Sequence, residues 1–227
     1  MLLVDDHPIV RQGLANLIDQ EDDLQVSDQA SDVQSALESI AKDRPDVALV
    51  DISLGDRSGL ELIKDIRARD PELPVLVLSM HDEGFYAERA LRAGAKGYVM
   101  KQEATEKVMT AIRKVLAGEV YVSQAMSARL LGQFVSSKGG TAVSEESPIK
   151  RLSDRELEIF TMIGRGLGTR EIAGKLFLSV KTVEAHREHI KEKLKLRSGT
   201  ELMRHAVQYV LEGAGGGGGA AAGGSAE

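Results

Sequence analysis

Five side chains of this sequence could do chemistry together, and each stands where a short apolar run ends. Asp5 and Asp6 follow Leu2-Leu3-Val4, Asp51 follows Val47-Ala48-Leu49-Val50, Ser79 follows Val75-Leu76-Val77-Leu78, and Lys101 follows Gly97-Tyr98-Val99-Met100. If the runs are parallel strands, all five gather at the carboxyl edge of one sheet, where open parallel sheets bind their ligands. Three carboxylates, a hydroxyl and an ammonium suit a magnesium ion and a phosphoryl group. Asp51 can act as a nucleophile toward phosphorus and form an aspartyl phosphate. Its charge repels an incoming phosphoryl group, and a divalent cation would cancel that repulsion. Magnesium prefers octahedral oxygen ligands, one or two of them carboxylates, with water completing the shell. Asp6 and Asp51 fit as direct ligands, Asp5 as a ligand through water, and the backbone carbonyl of Ser53 as a further oxygen. Lys101 would meet the phosphoryl group as a point charge. The Ser79 hydroxyl would donate to a phosphoryl oxygen once it is attached.

Taken singly, each residue has a plainer reading. Asp5 or Asp6 could cap a helix starting at Pro8, Asp51 could be a loop carboxylate, and Ser79 a turn residue. Their placement at the ends of four runs, in this order, favours the joint reading.

The elements that must position them follow from patterning. Strands are expected at Leu2–Val4, Leu24–Gln29, Val47–Asp51, Val75–Ser79 and Gly97–Met100, with helices near 8–20, 32–42, 58–69, 83–93 and 104–117 between them. In the first helix Ile9, Leu14, Leu17 and Ile18 recur near the helical period. Pro8 suits a first helical position, Ser58 and Asp82 suit N-caps, and Gly94 and Gly118 suit helix ends. Five strand–helix repeats imply an α/β fold with a doubly wound parallel sheet. The first run is short enough that a residue or two is expected ahead of it.

These motifs resemble bacterial response-regulator receiver domains. The resemblance rests on Leu-Val-Asp5-Asp6-His-Pro, Asp51 followed by Gly59-Leu-Glu-Leu-Ile63, Val-Leu-Val-Leu-Ser79-Met-His-Asp and Gly-Ala-Lys-Gly-Tyr98-Val-Met-Lys101, and spans residues 1–117. It implies strand order 2-1-3-4-5. It also implies that Asp51 accepts phosphate from a histidine kinase, that Asp5 and Asp6 hold Mg2+, that Ser79 is the switch hydroxyl and that Tyr98 is the switch aromatic. Tyr98 has the alternative of being a half-buried strand residue. Receivers commonly carry a proline near Gly55 and an aspartate near Ser58. The departure here bears on loop rigidity and phosphoryl lifetime, not on the nucleophile.

Net charge is −6 over 227 residues, but its halves differ. Residues 1–117 hold 14 Lys/Arg against 22 Asp/Glu, whereas residues 148–212 hold 13 against 9. A basic second half could meet nucleic acid. Residues 118–147 read as a linker containing a short helix near Ala125–Val135. Residues 148–212 read as an all-α domain of four helices, about 153–165, 169–176, 180–195 and 199–211. Ser153 and Glu156 form an S-x-x-E capping box, and Thr169 and Ser179 suit the next caps. The Gly/Ala-rich residues 213–227 cannot bury a core and should be disordered.

From Thr169 to Arg187 two short helices and a tight turn match a helix-turn-helix. Ile172, Ala173 and Leu176 supply one inner face, and Val183, Ile190 and Leu194 the other. Lys181, Glu184, Ala185, Glu188, Lys191 and Glu192 share the opposite stripe, which can enter a major groove. With Leu152-Ser-Asp-Arg-Glu156-Leu-Glu upstream and Lys-Leu-Lys-Leu-Arg197-Ser downstream, this segment resembles the LuxR-type helix-turn-helix. The resemblance implies phosphate contacts from Lys181 and Thr182 and base contacts from Glu184, Ala185 and Glu188; Arg187 and Lys191 complete the DNA-facing set. Glutamate can accept from cytosine N4, and alanine can touch a thymine methyl. Two glutamates also repel phosphates, so weak non-specific binding with sharp sequence dependence is expected. His186 and His189 lie i, i+3. With no cysteine and only surface glutamates nearby, packing or phosphate contact explains them better than a metal.

Absence of cysteine excludes a disulfide framework and thiol chemistry. No apolar stretch approaches the roughly 20 residues of a membrane span, and the acidic pair after three apolar residues does not fit a signal peptide. A cytoplasmic two-domain response regulator of the NarL/FixJ type is expected. It would not be an enzyme beyond its own phosphorylation and slow dephosphorylation. Its partners would be a histidine kinase, promoter DNA and a second copy of itself when phosphorylated. Leu202, Ala206, Tyr209 and Val210 in the last helix could form the dimer surface or serve the domain's own core. A haloacid-dehalogenase-like phosphatase would need an aspartate where Ser53 stands. An acyl-ligand sensor would need an aromatic-lined pocket, and the chain has no Trp.

Overall fold

The computed structural model describes residues 1–55, 57–103, 105–137 and 148–214. The chain divides into two compact units. The first runs β1 (Leu2–Val4), α1 (Pro8–Ile18), β2 (Asp28–Ala30), α2 (Val33–Lys42), β3 (Ala48–Val50), β4 (Ser53–Leu54), β5 (Arg57–Ser58), α3 (Gly59–Arg69), β6 (Val75–Ser79), α4 (Glu83–Ala93), β7 (Gly97–Met100), α5 (Thr105–Leu116) and α6 (Gln124–Ser137). Five strands form one parallel sheet in the order β2-β1-β3-β6-β7. Counted along that sheet alone, this is the expected 2-1-3-4-5.

β1, β3, β6 and β7 are apolar without alternation because both faces of the sheet are covered there, whereas the edge strand β2 is polar and exposed at Asp28 and Gln29. On one face Leu3, Leu49, Leu76 and Leu78 pack with Ala15 and Ile18 of α1 and Val108, Ile112 and Val115 of α5. The intervening residues Val4, Ala48, Val50 and Val77 are buried as well. Each such aliphatic side chain contributes roughly 1.5–3 kcal/mol when fully buried.

Three expectations need correction in this unit. The second strand is Asp28–Ala30, not Leu24–Gln29. Leu24 is apolar because it reaches the core from a loop, and the Val26 amide donates to the Asp19 side chain (2.8 Å) instead of a ladder. In α1 the inward face is Leu14, Ala15 and Ile18, while Ile9 is 88% exposed. The segment read as linker also divides. Tyr121 bridges to Gly97, and the Tyr98 amide donates to the Tyr121 carbonyl. α6 lies against α4, where the Ser123 amide donates to Glu83 and Arg129 donates to the Gly84 carbonyl. The remaining linker residues, 138–147, and the tail from 215 lie outside the described residues.

The second unit opens with a 3-10 turn (Pro148–Arg151), followed by α7 (Asp154–Gly164), α8 (Thr169–Lys175), α9 (Val180–Leu194) and α10 (Gly199–Ala214). The Ser153–Glu156 capping box forms in both directions, and Ser179 caps α9. Thr169 is the first helical residue of α8 rather than its cap; the Gly168 amide ahead of it donates to Glu171. α10 crosses α7 closely: a Cβ on Gly164 would lie 2.3 Å from the Ala206 carbonyl oxygen. Leu202 and Ala206 are fully buried, and the Tyr209 ring sits 5.7 Å from that of Phe160. This face of α10 is therefore the domain's own core, not a free dimer surface.

Candidate functional site

The parallel register brings the ends of β1, β3, β6 and β7 to one edge of the sheet. Asp5 and Asp51 sit one residue beyond β1 and β3, and both are buried. The Asp51 amide continues the ladder by donating to the Val4 carbonyl (2.9 Å), which fixes the side chain beside Asp5. Lys101 reaches in from the end of β7. Its Nζ lies 2.6 Å from Asp5 Oδ2 and 2.6 Å from Asp51 Oδ2.

Neither aspartate of the pair caps α1. The N-cap position belongs to His7, which makes no side-chain cap bond, and Pro8 opens the helix. Asp5 Oδ1 accepts instead from the His7 amide (2.9 Å). Asp6 Oδ2 accepts from the Gly55 amide (3.0 Å), so the loop after Asp51 is tied back to the end of β1. That loop is the small β4–β5 hairpin, with Gly55 at φ +61. Ser58 closes it by capping α3, its side chain accepting from the Leu60 amide. Gly55 and Ser58, the two departures from the receiver pattern, thus both anchor the loop.

Burial raises the pKa of Asp51 above its ordinary value and outweighs the attraction of Lys101. Burial alone would lower the Lys101 ammonium, but Asp51 and Asp5 hold it above its ordinary range. Asp51 Oδ1 is buried and takes no hydrogen bond from the described residues. Ligand atoms of Asp5, Asp6, His7 and Asp51 lie within 4.8 Å of one another. An orphaned buried carboxylate oxygen inside such a group fits a cation, because a buried charge left short of partners is costly.

Ser79 closes β6 and is fully buried; its hydroxyl accepts from the His81 amide (3.2 Å). Tyr98 is neither exposed nor half-buried. Its ring is inside the unit at 1% exposure and its hydroxyl donates to the His81 carbonyl (2.8 Å). Burial raises its pKa far above the phenol range. Two imidazoles join the site that the sequence reading leaves out. His7 Nδ1 lies 2.6 Å from Asp6 Oδ1. His81 Nε2 lies 2.9 Å from the Ser53 hydroxyl, and its ring packs on Tyr86. The available signal was spacing: His7 stands two residues beyond Asp5 and His81 two beyond Ser79.

In the second unit, α9 presents Lys181, Glu184, Ala185 and Glu188 to solvent, with Thr182, Arg187 and Lys191 half-buried at the margins. Val183 and Ile190 are buried on the opposite side, while Leu194 is only partly covered. The Ser179 hydroxyl binds both the Thr182 amide and its hydroxyl. Lys191 Nζ pairs with Glu188 Oε2 at 2.8 Å, which offsets part of that glutamate's repulsion toward phosphates.

A sheet edge with three acidic residues and a lysine, followed by a helix-turn-helix, defines a signal-receiving and DNA-binding class of protein. The family model for the response regulator receiver domain matches residues 1–113, and that for bacterial regulatory proteins of the luxR family matches residues 150–206. The chain belongs to the response regulators of the NarL/FixJ type, which join these two domains. It is 40% identical over 209 residues to the oxygen regulatory protein NreC of Staphylococcus carnosus (strain TM300), covering 92% of this chain and 96% of that protein. It is similar to RcsB from Salmonella enterica serovar Typhimurium bound to a promoter in the presence of phosphomimetic BeF3−. There the TM-score is 0.56 and the identity 26%, over 91% of this chain and 97% of that one. A structure of two RcsB dimers bound to two parallel DNAs matches with TM-score 0.53 and 26% identity, over 93% and 96%. Among the described residues no helix is long and apolar enough to cross a membrane.

Proposed function

We propose that Asp51 accepts a phosphoryl group from a partner histidine kinase and that this modification switches promoter binding by α9. The observation that carries the reading is the state of the Asp51 carboxylate. One oxygen is held by the Lys101 ammonium, which it shares with Asp5, and the other is buried and takes no hydrogen bond from the described residues. The Asp51 carboxylate would attack phosphorus as the phosphorus–nitrogen bond of the kinase's phosphohistidine breaks; the leaving imidazole then takes a proton from solvent. Mg2+ held by Asp6, Asp51 and the Ser53 carbonyl, with Asp5 through water, would supply charge neutralisation for that approach.

Lys101 is placed to transfer its ion pair from the carboxylates to the phosphoryl oxygens. The Ser79 hydroxyl, at the same edge, would donate to one of them, and Tyr98 packs behind Ser79. These charge-assisted hydrogen bonds are the energy source of the switch. The chain is no enzyme toward external substrates; it takes up phosphate stoichiometrically and loses it slowly. Its place is the cytoplasm, and its active form is a homodimer on promoter DNA, a reading supported by the DNA-bound RcsB dimers.

Incubation with a small-molecule phosphodonor and Mg2+, read by intact-protein mass, tests the phosphoryl step. One phosphoryl group per chain is expected in the wild type and none in Asp51→Asn. Equal uptake by both would refute the assignment.

A further inference from the structure

Outside the sheet edge, one cluster of ligand-bearing side chains has no part in the function proposed above. His186 and His189 lie one turn apart on α9, and Glu156 reaches them from the first turn of α7. One ligand atom from each lies within 4.8 Å of the other two. This corrects the expectation that only surface glutamates surround the histidines, because Glu156 is buried. We propose that Glu156, His186 and His189 form a second metal site, which takes a divalent transition-metal ion such as Zn2+ through two imidazoles and a carboxylate and so ties α9 to α7.

The donor set selects the ion. Two imidazole nitrogens with one carboxylate oxygen suit zinc, nickel or copper, whereas magnesium and calcium ask for oxygen ligands. The i, i+3 spacing lets two side chains of one helix meet at a common point. A metal needs neutral imidazole.

Glu156 is only partly committed. Its Oε2 accepts from the Ser153 amide and from Lys193 Nζ, each at 2.6 Å. Oε1 takes no hydrogen bond from the described residues, so an ion can use it without undoing the cap of α7. Two cations oppose an ion here: Arg155, which is already paired with Glu158 at 2.6 Å, and Lys193, which at 40% exposure can swing into water. Exposed His189 gives the ion its way in, and three protein ligands leave a fourth tetrahedral position to water. The ion would steady α9 while leaving Glu184, Ala185 and Glu188 open to DNA.

The test is calorimetric titration of the full chain with Zn2+ in excess Mg2+, which keeps the sheet-edge carboxylates occupied. Wild type is compared with His189→Ala, His186→Gln, and a sheet-edge variant combining Asp6→Asn with His7→Ala. One zinc per chain is expected in the wild type and in the sheet-edge variant. In His189→Ala and His186→Gln binding should be weaker by at least roughly tenfold. Because the His189 side chain is exposed, circular dichroism should show His189→Ala folded as wild type, so its loss of zinc reads on ligation. The proposal is overturned if wild type takes up no zinc, if His189→Ala binds it unchanged, or if only the sheet-edge variant loses it.

Discussion

Gly59 stands directly against the backbone of Asp51: a Cβ at Gly59 would lie 1.9 Å from the Asp51 carbonyl oxygen. The start of α3 is thereby the floor on which the phosphoacceptor rests, and the Gly59 amide donates to the Ile52 carbonyl (2.6 Å) to hold it there. Gly59→Ala must push Asp51 away from Lys101 and Asp5. Forced overpacking of this kind costs about 1–3 kcal/mol, and phosphoryl uptake should fall by roughly tenfold or more for a displacement of an ångström. Gly13→Ala in α1 is the control. Nothing lies within 4 Å of its Cβ, and it should stabilise the chain by about 0.5–1 kcal/mol. Urea midpoints and uptake rates of the two variants check both statements.

Lys101 is the sole ammonium within bonding distance of both Asp5 and Asp51 among the described residues. Its removal in Lys101→Ala leaves two buried carboxylates facing each other. Breaking a buried pair in this way costs about 3–5 kcal/mol. Mg2+ should restore much of the loss, because it replaces the missing positive charge. Thermal melts with and without Mg2+ measure the restoration, and an equal deficit in both buffers would mean that the ion does not enter this site.

Asp51 carries the opposite sign. Its pKa is raised in the folded chain by burial, so the folded state holds a proton more tightly than the unfolded state does. Stability therefore falls as pH rises from the ordinary carboxylate value through the raised one. Asp51→Asn removes that loss. In metal-free buffer the melting point of Asp51→Asn should lie above that of wild type once pH exceeds the raised value. The gain should shrink below pH 4 and also on adding Mg2+. Affinity for Mg2+ should weaken as pH falls, since ion and proton compete for the same carboxylate.

On α9 the exposed residues separate affinity from selectivity. Lys181→Ala should weaken binding to all DNA sequences alike and reduce the salt slope by about 1. Glu188→Ala should do the reverse: stronger binding to unrelated DNA and a loss of about 1–3 kcal/mol of discrimination at the base it faces. It also releases Lys191 from its 2.8 Å pair. Binding to a panel of single-base operator variants at two salt concentrations distinguishes the two effects.

What could be read from the sequence was what depends on chain-local pattern. The sheet order and the strand-end residues were legible because four of the five strands are continuous apolar runs that stop at a residue with chemistry. The second strand misled because Leu24 and Val26 are apolar for reasons other than a ladder. The β4–β5 hairpin gave no signal, since strands of two residues have no period. Gly59 could not be seen as a floor without knowing that the Asp51 backbone lies across it. Glu156 reads locally as a capping residue, and only the α7–α9 packing brings it to His186 and His189. The α10 face showed an amphipathic pattern, and pattern alone does not say whether a partner or α7 covers it.

Phosphate on Asp51 is expected to govern what α9 does on DNA. The most direct measurement is operator selection from a promoter library, run with and without a small phosphodonor plus Mg2+, for wild type and Asp51→Asn in parallel. The donor should tighten sequence-specific binding by wild type and leave Asp51→Asn unchanged. Specific binding that ignores both the donor and the substitution would contradict it, leaving the DNA-binding domain to act without the receiver.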